Sequence, residues 1–130
     1  MKKVLIIEND MDTLEIVGIL LESNDFEIVQ SSQKKSIKEI AEINPDIVVI
    51  DYLLGDGLGN ELCLEIKTNP LTKNIPVILF SASPNLEKVI ETCLADAFIA
   101  KPFDLEDFLE MVNQWAYKWD STHKKPLLFK

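Results

Sequence analysis

The run Ile47-Val48-Val49-Ile50 constrains this chain more than any other stretch, because four consecutive apolar, mostly β-branched residues leave no face for water. Between Pro45-Asp46 and a glycine-bearing loop, it reads as a strand covered on both faces, the usual state of a central parallel strand. Asp51 follows at once, so the strand carries a carboxylate to its own carboxyl end, where open α/β sheets bind ligands. The loop from Leu53 to Gly59 holds three glycines and can bring its backbone close to a ligand.

The rest of the chain alternates around that strand. Val4 to Ile7 reads as a second buried strand ending in Glu8-Asn9-Asp10, after which Asp10 or Asp12 caps a helix with Leu14, Val17, Leu20 and Leu21 at helical spacing. Gly18 weakens that helix and marks a place where something packs closely. Phe26 to Val29 is strand-like. Ser32 to Ile43 is helical, with Ile37, Ile40 and Ala41 or Ile43 inward, and Asn60 to Lys67 is helical, with Leu62, Ile66 and Cys63 or Leu64 inward. Pro76 to Phe80 is a strand followed by Ser81-Ala82-Ser83. Pro84 or Asn85 opens a helix through Leu94, and Ala97 to Ala100 is a short strand running into Lys101-Pro102-Phe103. The final helix carries Leu105, Phe108, Leu109, Val112, Ala116 and Trp119 as a stripe, opened by Asp104 and Asp107 at capping-box spacing. Five strands alternating with five helices predict a mostly parallel, doubly wound α/β sheet. Residues 1–120 are expected to form the domain and 121–130 a C-terminal tail.

Composition removes several classes of function. A chain of 130 residues, 47% hydrophobic and 27% charged, can bury a core without disulfides or a structural metal. Cys63 and Cys93 fall within helical patterns, form no C-x-x-C, and read as reduced core or half-core cysteines of an intracellular, cytoplasmic protein, with reactive or metal-binding thiols the minor alternative. No apolar run is long enough to span a membrane, and no export signal is visible. The net charge of -9 leaves no basic stripe for nucleic acid.

Chemistry emerges when the strand ends are compared. Glu8-Asn9-Asp10, Asp51, Ser81 and Lys101 each follow a strand, and in a parallel sheet these ends lie on one side. Two carboxylates with an amide oxygen suit Mg²⁺, which prefers oxygen ligands and needs only one or two carboxylates besides phosphate oxygens. Asp51 can accept a phosphoryl group as a covalent nucleophile. A hydroxyl and an ammonium then serve as donors to the phosphoryl oxygens. Singly, each residue has a plain reading: a solvated turn, a loop cap, a post-strand serine, a surface lysine. Their agreement on one edge favours the phosphoryl site.

At these residues the chain resembles the receiver domain of two-component response regulators, from about Lys3 to Trp119. The likeness rests on Val4-Leu-Ile-Ile-Glu-Asn-Asp, Pro45-Asp-Ile-Val-Val-Ile-Asp51 with Gly59 eight residues on, Pro76-Val-Ile-Leu-Phe-Ser-Ala, and Ala95-Asp-Ala-Phe-Ile-Ala-Lys101-Pro-Phe. It implies a flavodoxin-like (CheY-like) sheet of order 2-1-3-4-5, Mg²⁺ at the acidic pocket, and phosphoryl transfer to Asp51 from a sensor histidine kinase or phosphotransfer protein. By likeness Glu8 and Asn9 take the acidic pair and Leu53 offers its carbonyl to the metal, with Asp10 a helper. Ser81 is the hydroxyl position, Lys101 the phosphate-contacting lysine and Phe98 the switch aromatic.

Three positions depart from the family pattern. Asn9 stands where a second acid is usual, Gly55 where proline is usual, and Phe98 lacks a hydroxyl. A pseudo-receiver that works without phosphorylation is the alternative that Asn9 raises. An Asp-nucleophile phosphatase wants an acid two residues after the nucleophile, where Leu53 stands, and a nucleotide-binding module wants glycines where Glu8-Asn9-Asp10 stands. A plain interaction domain is the remaining reading. Leu53 and Ser83 provide no acid or amide to orient water, so a long-lived phosphoryl group is expected. With no output region after the sheet, the chain is expected to act as a stand-alone regulator on a downstream protein target, as a monomer or weak homodimer. Its contact surface is expected on the fourth helix, fifth strand and fifth helix, where Met111 and Trp115 lie off the main stripe, with ordinary core packing the equal reading for Trp115.

Overall fold

The structure, a computed structural model, describes residues 1–54, 57–82 and 91–118, with residues 53, 57, 58 and 81 described for their backbone only. In chain order the elements are β1 (Lys2–Ile7), α1 (Met11–Glu22), β2 (Phe26–Ser31), α2 (Ile37–Ile43), β3 (Ile47–Asp51), β4 (Leu53–Leu54), β5 (Gly57–Leu58), α3 (Gly59–Thr68), β6 (Val77–Ser81), α4 (described over residues 91–93), β7 (Ala97–Ala100) and α5 (Leu105–Ala116). The main sheet runs β2-β1-β3-β6-β7 with every pairing parallel, the expected 2-1-3-4-5 order when its five strands are counted alone.

β3 is central, and its pattern explains its sequence. Ile47 and Val49 face a cluster with Val4, Ile6, Leu14, Val17 and Phe108, on the side of α1 and α5. Val48 and Ile50 face the opposite cluster with Leu5, Ile40, Leu62, Ile66 and Leu79, on the side of α2 and α3. All four are fully buried, each contributing about 1.5–3 kcal/mol of apolar burial, and a strand with two buried faces shows no alternation.

Polar contacts at the amino ends of the strands fix their register. The Asp46 carboxylate accepts from the Lys3 N–H at 2.8 Å while the Asp46 N–H donates to the Lys3 carbonyl at 2.8 Å, aligning β3 with β1. Across the sheet, Asp96 accepts from the Val77 N–H and from Lys67 Nζ, both at 2.8 Å, anchoring β6. Asn44 ends α2 in the left-handed region (φ 52), its N–H bonded to the Ile40 carbonyl, and Pro45 prevents continuation.

Several expectations are refined. β1 and β2 extend beyond their expected ends, and α2 begins five residues later than expected. It is capped by a reciprocal Ser36–Glu39 box in which Ser36 Oγ accepts from the Glu39 N–H at 3.1 Å and Glu39 Oε1 from the Ser36 N–H at 3.0 Å. The stretch after Asp51, expected as loop, contains an antiparallel ribbon pairing Leu53 with Leu58 and Leu54 with Gly57. Asp10 is the N-cap of α1, but its carboxylate accepts from Thr13 Oγ1 at 2.6 Å and makes no cap bond to the backbone. Asp104 caps α5 by accepting from the Glu106 and Asp107 N–H groups, and the inward choice on α3 is Cys63, Leu64 being exposed.

Met111 and Trp115 do not stand off the apolar stripe of α5. Both are half-buried and pack on the core, with Lys118 Nζ 4.4 Å above the Trp115 ring. An amphipathic helix against a twisted sheet buries a broader arc than a single stripe. Gly18 does mark a close approach: a Cβ there would collide with Gln30 Nε2, which donates to the Leu14 carbonyl at 2.7 Å. Trp119, the tail 121–130, Pro84, Asn85, Gly55 and Ser83 lie outside the described residues. Among the described residues no helix is long and apolar enough to cross a membrane.

Candidate functional site

Parallel register assembles the site. Ile7 pairs with Ile50, Asp51 with Phe80, and Ser81 with Ala100, so Glu8, Asp51, Ser81 and Lys101 leave adjacent strands β1, β3, β6 and β7 at one level. Glu8 is fully buried and Asp51 is 6% exposed. Lys101 Nζ bridges them, donating to Glu8 Oε1 at 2.6 Å and to Asp51 Oδ2 at 3.3 Å. The second Glu8 oxygen accepts from the Asp10 N–H at 3.1 Å.

The ammonium also lies 4.7 Å above the Phe80 ring, and Phe80 meets Phe103 and Phe108, which stack on one another at 5.2 Å. This aromatic group seats the lysine stem and joins the site to α5. From the other side the Gly59 N–H donates to the Tyr52 carbonyl at 2.6 Å. A Cβ on Gly59 would overlap the Asp51 carbonyl oxygen and press on Ile50 Cγ2. The glycine is required for close approach of α3 to the end of β3.

Burial pushes the Glu8 carboxyl up to about 7, helped by a side-chain hydrogen bond with Asp51 that a protonated carboxyl makes, and opposed by Lys101. For Lys101, burial works against the charge, but its contacts with Glu8 and Asp51 prevail and hold its pKa above the usual value. Among the described residues, Lys101 thus supplies this pocket with a half-buried ammonium that two buried carboxylates share.

The other expected residues distribute differently. Asn9 and Asp10 are exposed at the rim, and Asp10 is turned to Thr13, which lowers its pKa. Ser81 ends β6 opposite Ala100, and Leu53 opens the ribbon opposite Leu58. Phe98, on the opposite face of β7 from Ile99, packs half-buried against the cluster holding Leu79 and Cys93. Among the described residues no three His, Cys, Asp or Glu side chains converge as a metal cage. The two buried carboxylates, Glu8 and Asp51, nonetheless suit Mg²⁺ chemically, since it prefers oxygen ligands and needs only one or two carboxylates. Phe80 and Phe103 were not anticipated at the site. Their signal is present only as apolar residues adjoining Ser81 and Lys101, indistinguishable from core.

A five-stranded doubly wound sheet with buried acids and a lysine at its carboxyl edge defines a CheY-like receiver fold. The chain belongs to the response regulator receiver domain family, whose model matches residues 4–113. It is 28% identical over 116 residues to the phosphate regulon transcriptional regulatory protein PhoB of Escherichia coli, covering 86% of this chain and 50% of that protein. The chain thus spans about half the length of the curated relatives it matches. Among solved structures it superposes on a CheY-like response regulator receiver domain protein of Methanospirillum hungatei with a TM-score of 0.81 at 22% identity, covering 94% of this chain and 98% of that one. It also superposes on the receiver domain of a sensor histidine kinase of Pseudomonas aeruginosa, described with magnesium coordinated in the active-site cleft. That match has a TM-score of 0.77 at 18% identity and covers 88% and 97% of the two chains.

Proposed function

We propose that this receiver accepts a phosphoryl group on Asp51 from a sensor histidine kinase or phosphotransfer protein and signals by contact with a downstream protein target in the cytoplasm. The observation that carries the reading is the position of Asp51 at the end of the central strand, 3.3 Å from the Lys101 ammonium and beside buried Glu8. In the transfer, an Asp51 carboxylate oxygen attacks phosphorus, the bond from phosphorus to the donor imidazole nitrogen breaks, and the pair stays with the leaving imidazole. Lys101 Nζ moves from the two carboxylates to a phosphoryl oxygen, exchanging one anionic partner for a more highly charged one. Ser81 donates its hydroxyl to another oxygen, and Phe98 follows as the switch.

Glu8, Asn9, Asp51 and the Leu53 carbonyl would hold Mg²⁺, assisted by Asp10. When bound, the ion supplies charge neutralisation at the phosphoryl oxygens. Asp51 and Lys101 together support this over the pseudo-receiver reading, since an interaction module has no use for a buried acceptor carboxylate paired with an ammonium at the pocket.

The test is incubation with a small-molecule phosphodonor and Mg²⁺ followed by intact-mass measurement. A phosphate-sized adduct on the natural chain and none on Asp51→Asn is expected. An adduct that persists on Asp51→Asn, or none on the natural chain, would overturn the assignment.

A further inference from the structure

α1 and the outer strand β2 border a groove of about 340 Å³. Its apolar lining includes Met11 and Ile19, which are 62 and 59% exposed, and half-buried Ile28. Its acidic lining is Asp12, Glu15 and Glu22, all exposed. α1 contains no lysine or arginine, and among the described residues no ion pair reaches any of these three acids. Glu22 stands in the last turn of α1, where the unsatisfied carbonyls already concentrate negative charge and a cation is the stabilising neighbour. Along the helix the groove therefore presents an acid at one end, apolar Ile19 next, and Glu15 and Asp12 beside Met11 at the other end.

The chain carries a segment of the complementary pattern. Lys124-Lys125-Pro126-Leu127-Leu128-Phe129-Lys130 sets basic residues on both sides of an apolar run and contains no acid. The described chain arrives at the groove's Glu22 end: the Tyr117 ring, just past α5, lies 6.2 Å from the ring of Phe26, the first residue of β2. From Lys118, the six residues to Lys124 reach about 20 Å when extended, which is ample to lead past the start of β2. From Lys125 to Lys130 an extended chain spans about 17 Å, and from Glu22 to Asp12 a helix rises about 15 Å, so the basic ends match the acidic ends in spacing. Pro126 favours the extended form by keeping Lys125 out of the helical region.

Two other grooves suit this segment less. The one lined by Pro45, Leu71 and Pro76 has a single acid, Asp46, whose carboxylate is already engaged by the Lys3 N–H and by Lys2. The one lined by Phe103 and Met111 holds Asp104 and Asp107, but these sit at the amino end of α5, where the helix itself compensates their charge.

We propose that residues 124–130 dock into the α1–β2 groove of their own chain, with Lys124 and Lys125 at Glu22, Leu127 to Phe129 over Ile19, Ile28 and Met11, and Lys130 at Asp12 and Glu15. The apolar run covers side chains that the sheet leaves in water, and the lysines neutralise the acids of a helix that has no cation of its own. The docked segment closes this groove to any other basic partner, and it reaches the end of α1 that begins directly after Asn9 and Asp10 at the rim of the Asp51 pocket.

Zero-length carbodiimide coupling of the folded full chain at low salt, read by peptide mapping, tests the placement. The expected products are amide bonds within one monomer, from Lys124 or Lys125 to Glu22 and from Lys130 to Asp12 or Glu15. Their yield is expected to fall about fivefold in about 1 M salt, where charges are screened beyond about 3 Å. In a second measurement, reversing the three lysines together (K124E, K125E and K130E) is expected to shift the amide NMR signals of α1 and β2 and to leave those of β6 and α3 in place. Coupling of these lysines to Asp46, Asp104 or Asp107 instead, coupling found only between two chains, no coupling to α1, or unmoved α1 and β2 signals in the reversed variant would each overturn the proposal.

Discussion

Lys101 Nζ lies 2.6 Å from Glu8 Oε1, the shortest of the ion pairs described here, although the two residues stand 93 positions apart. Glu8 is nevertheless more easily protonated than an ordinary glutamate, because burial outweighs its lysine and Asp51 adds to the cost of a second charge.

A pH dependence follows for the metal-free protein. The Glu8 carboxyl is raised from 4.5 to about 7. Between those values the folded chain holds a proton that the unfolded chain has released. Stability therefore falls as pH rises through this window, by about 3 kcal/mol at most, and levels off above it. Urea unfolding in chelator at steps from pH 4.5 to 8 is expected to show that decline in the natural chain and a flatter profile in Glu8→Gln. Parallel profiles would remove Glu8 as the source.

Gly59→Ala is expected to destabilise the fold by about 1–3 kcal/mol, the range for overpacking against a neighbour that cannot yield. The atoms it would meet belong to the Asp51 backbone and Ile50. Phosphorylation by a small-molecule donor is expected to slow as well, because the same shift moves the acceptor. Thermal melts and adduct formation against time measure both, and an unchanged melting temperature contradicts the contact.

Gly18 and Gln30 are expected to show a change of sign in a double-mutant cycle. Gly18→Ala alone trades about 1 kcal/mol of helix propensity against displacement of the Gln30 amide from the Leu14 carbonyl. In the Gln30→Ala background the propensity gain is opposed only by the contact with the mobile end of Ile28, Cδ1 at 3.1 Å from the new Cβ, so Gly18→Ala stabilises by about 0.5–1 kcal/mol. Equal effects in the two backgrounds, read by urea unfolding, would show that the two residues do not interact.

Asn9→Asp places a third carboxylate at the rim of a site where Glu8 and Asp51 are the buried acids. An exposed charge near a divalent ion is worth about 1–2 kcal/mol, so Mg²⁺ affinity is expected to tighten about tenfold. Calorimetric titration measures it. Equal affinity in the two proteins would place residue 9 outside the ligand set.

The alternation of strands and helices and the level of the strand ends were legible because they depend on patterns that sequence carries directly, whereas the sheet order came from the resemblance to receiver domains. Two buried faces gave Ile47 to Ile50 a continuous apolar run, and parallel pairing then put Glu8, Asp51, Ser81 and Lys101 on one edge. Features that depend on exact register were not legible. Nothing in Gln30 itself announces that it fills the notch left by Gly18, and the two-residue strands β4 and β5 are too short to show a period. The Ser36–Glu39 box was written in the sequence, but Gln33, Lys34 and Lys35 before Ser36 suit a helix as well as Ile37 and Lys38 after it. The complete burial of Glu8 was hidden for a different reason: an acid followed by Asn9 and Asp10 looks like a solvated turn until the sheet closes over it.

β7 is an outer strand of only four residues, and Lys101-Pro102 follows it immediately. An outer strand exposes a row of unused backbone groups to which a second sheet can add. Past Ala100 an incoming strand would meet an ammonium already committed to two carboxylates, and then a proline with no N–H to offer. The dipeptide that delivers Lys101 to the acidic pocket is therefore also a stop against edge-to-edge aggregation. Replacing Pro102 would change the colloidal behaviour of the protein at high concentration as well as the seating of its lysine.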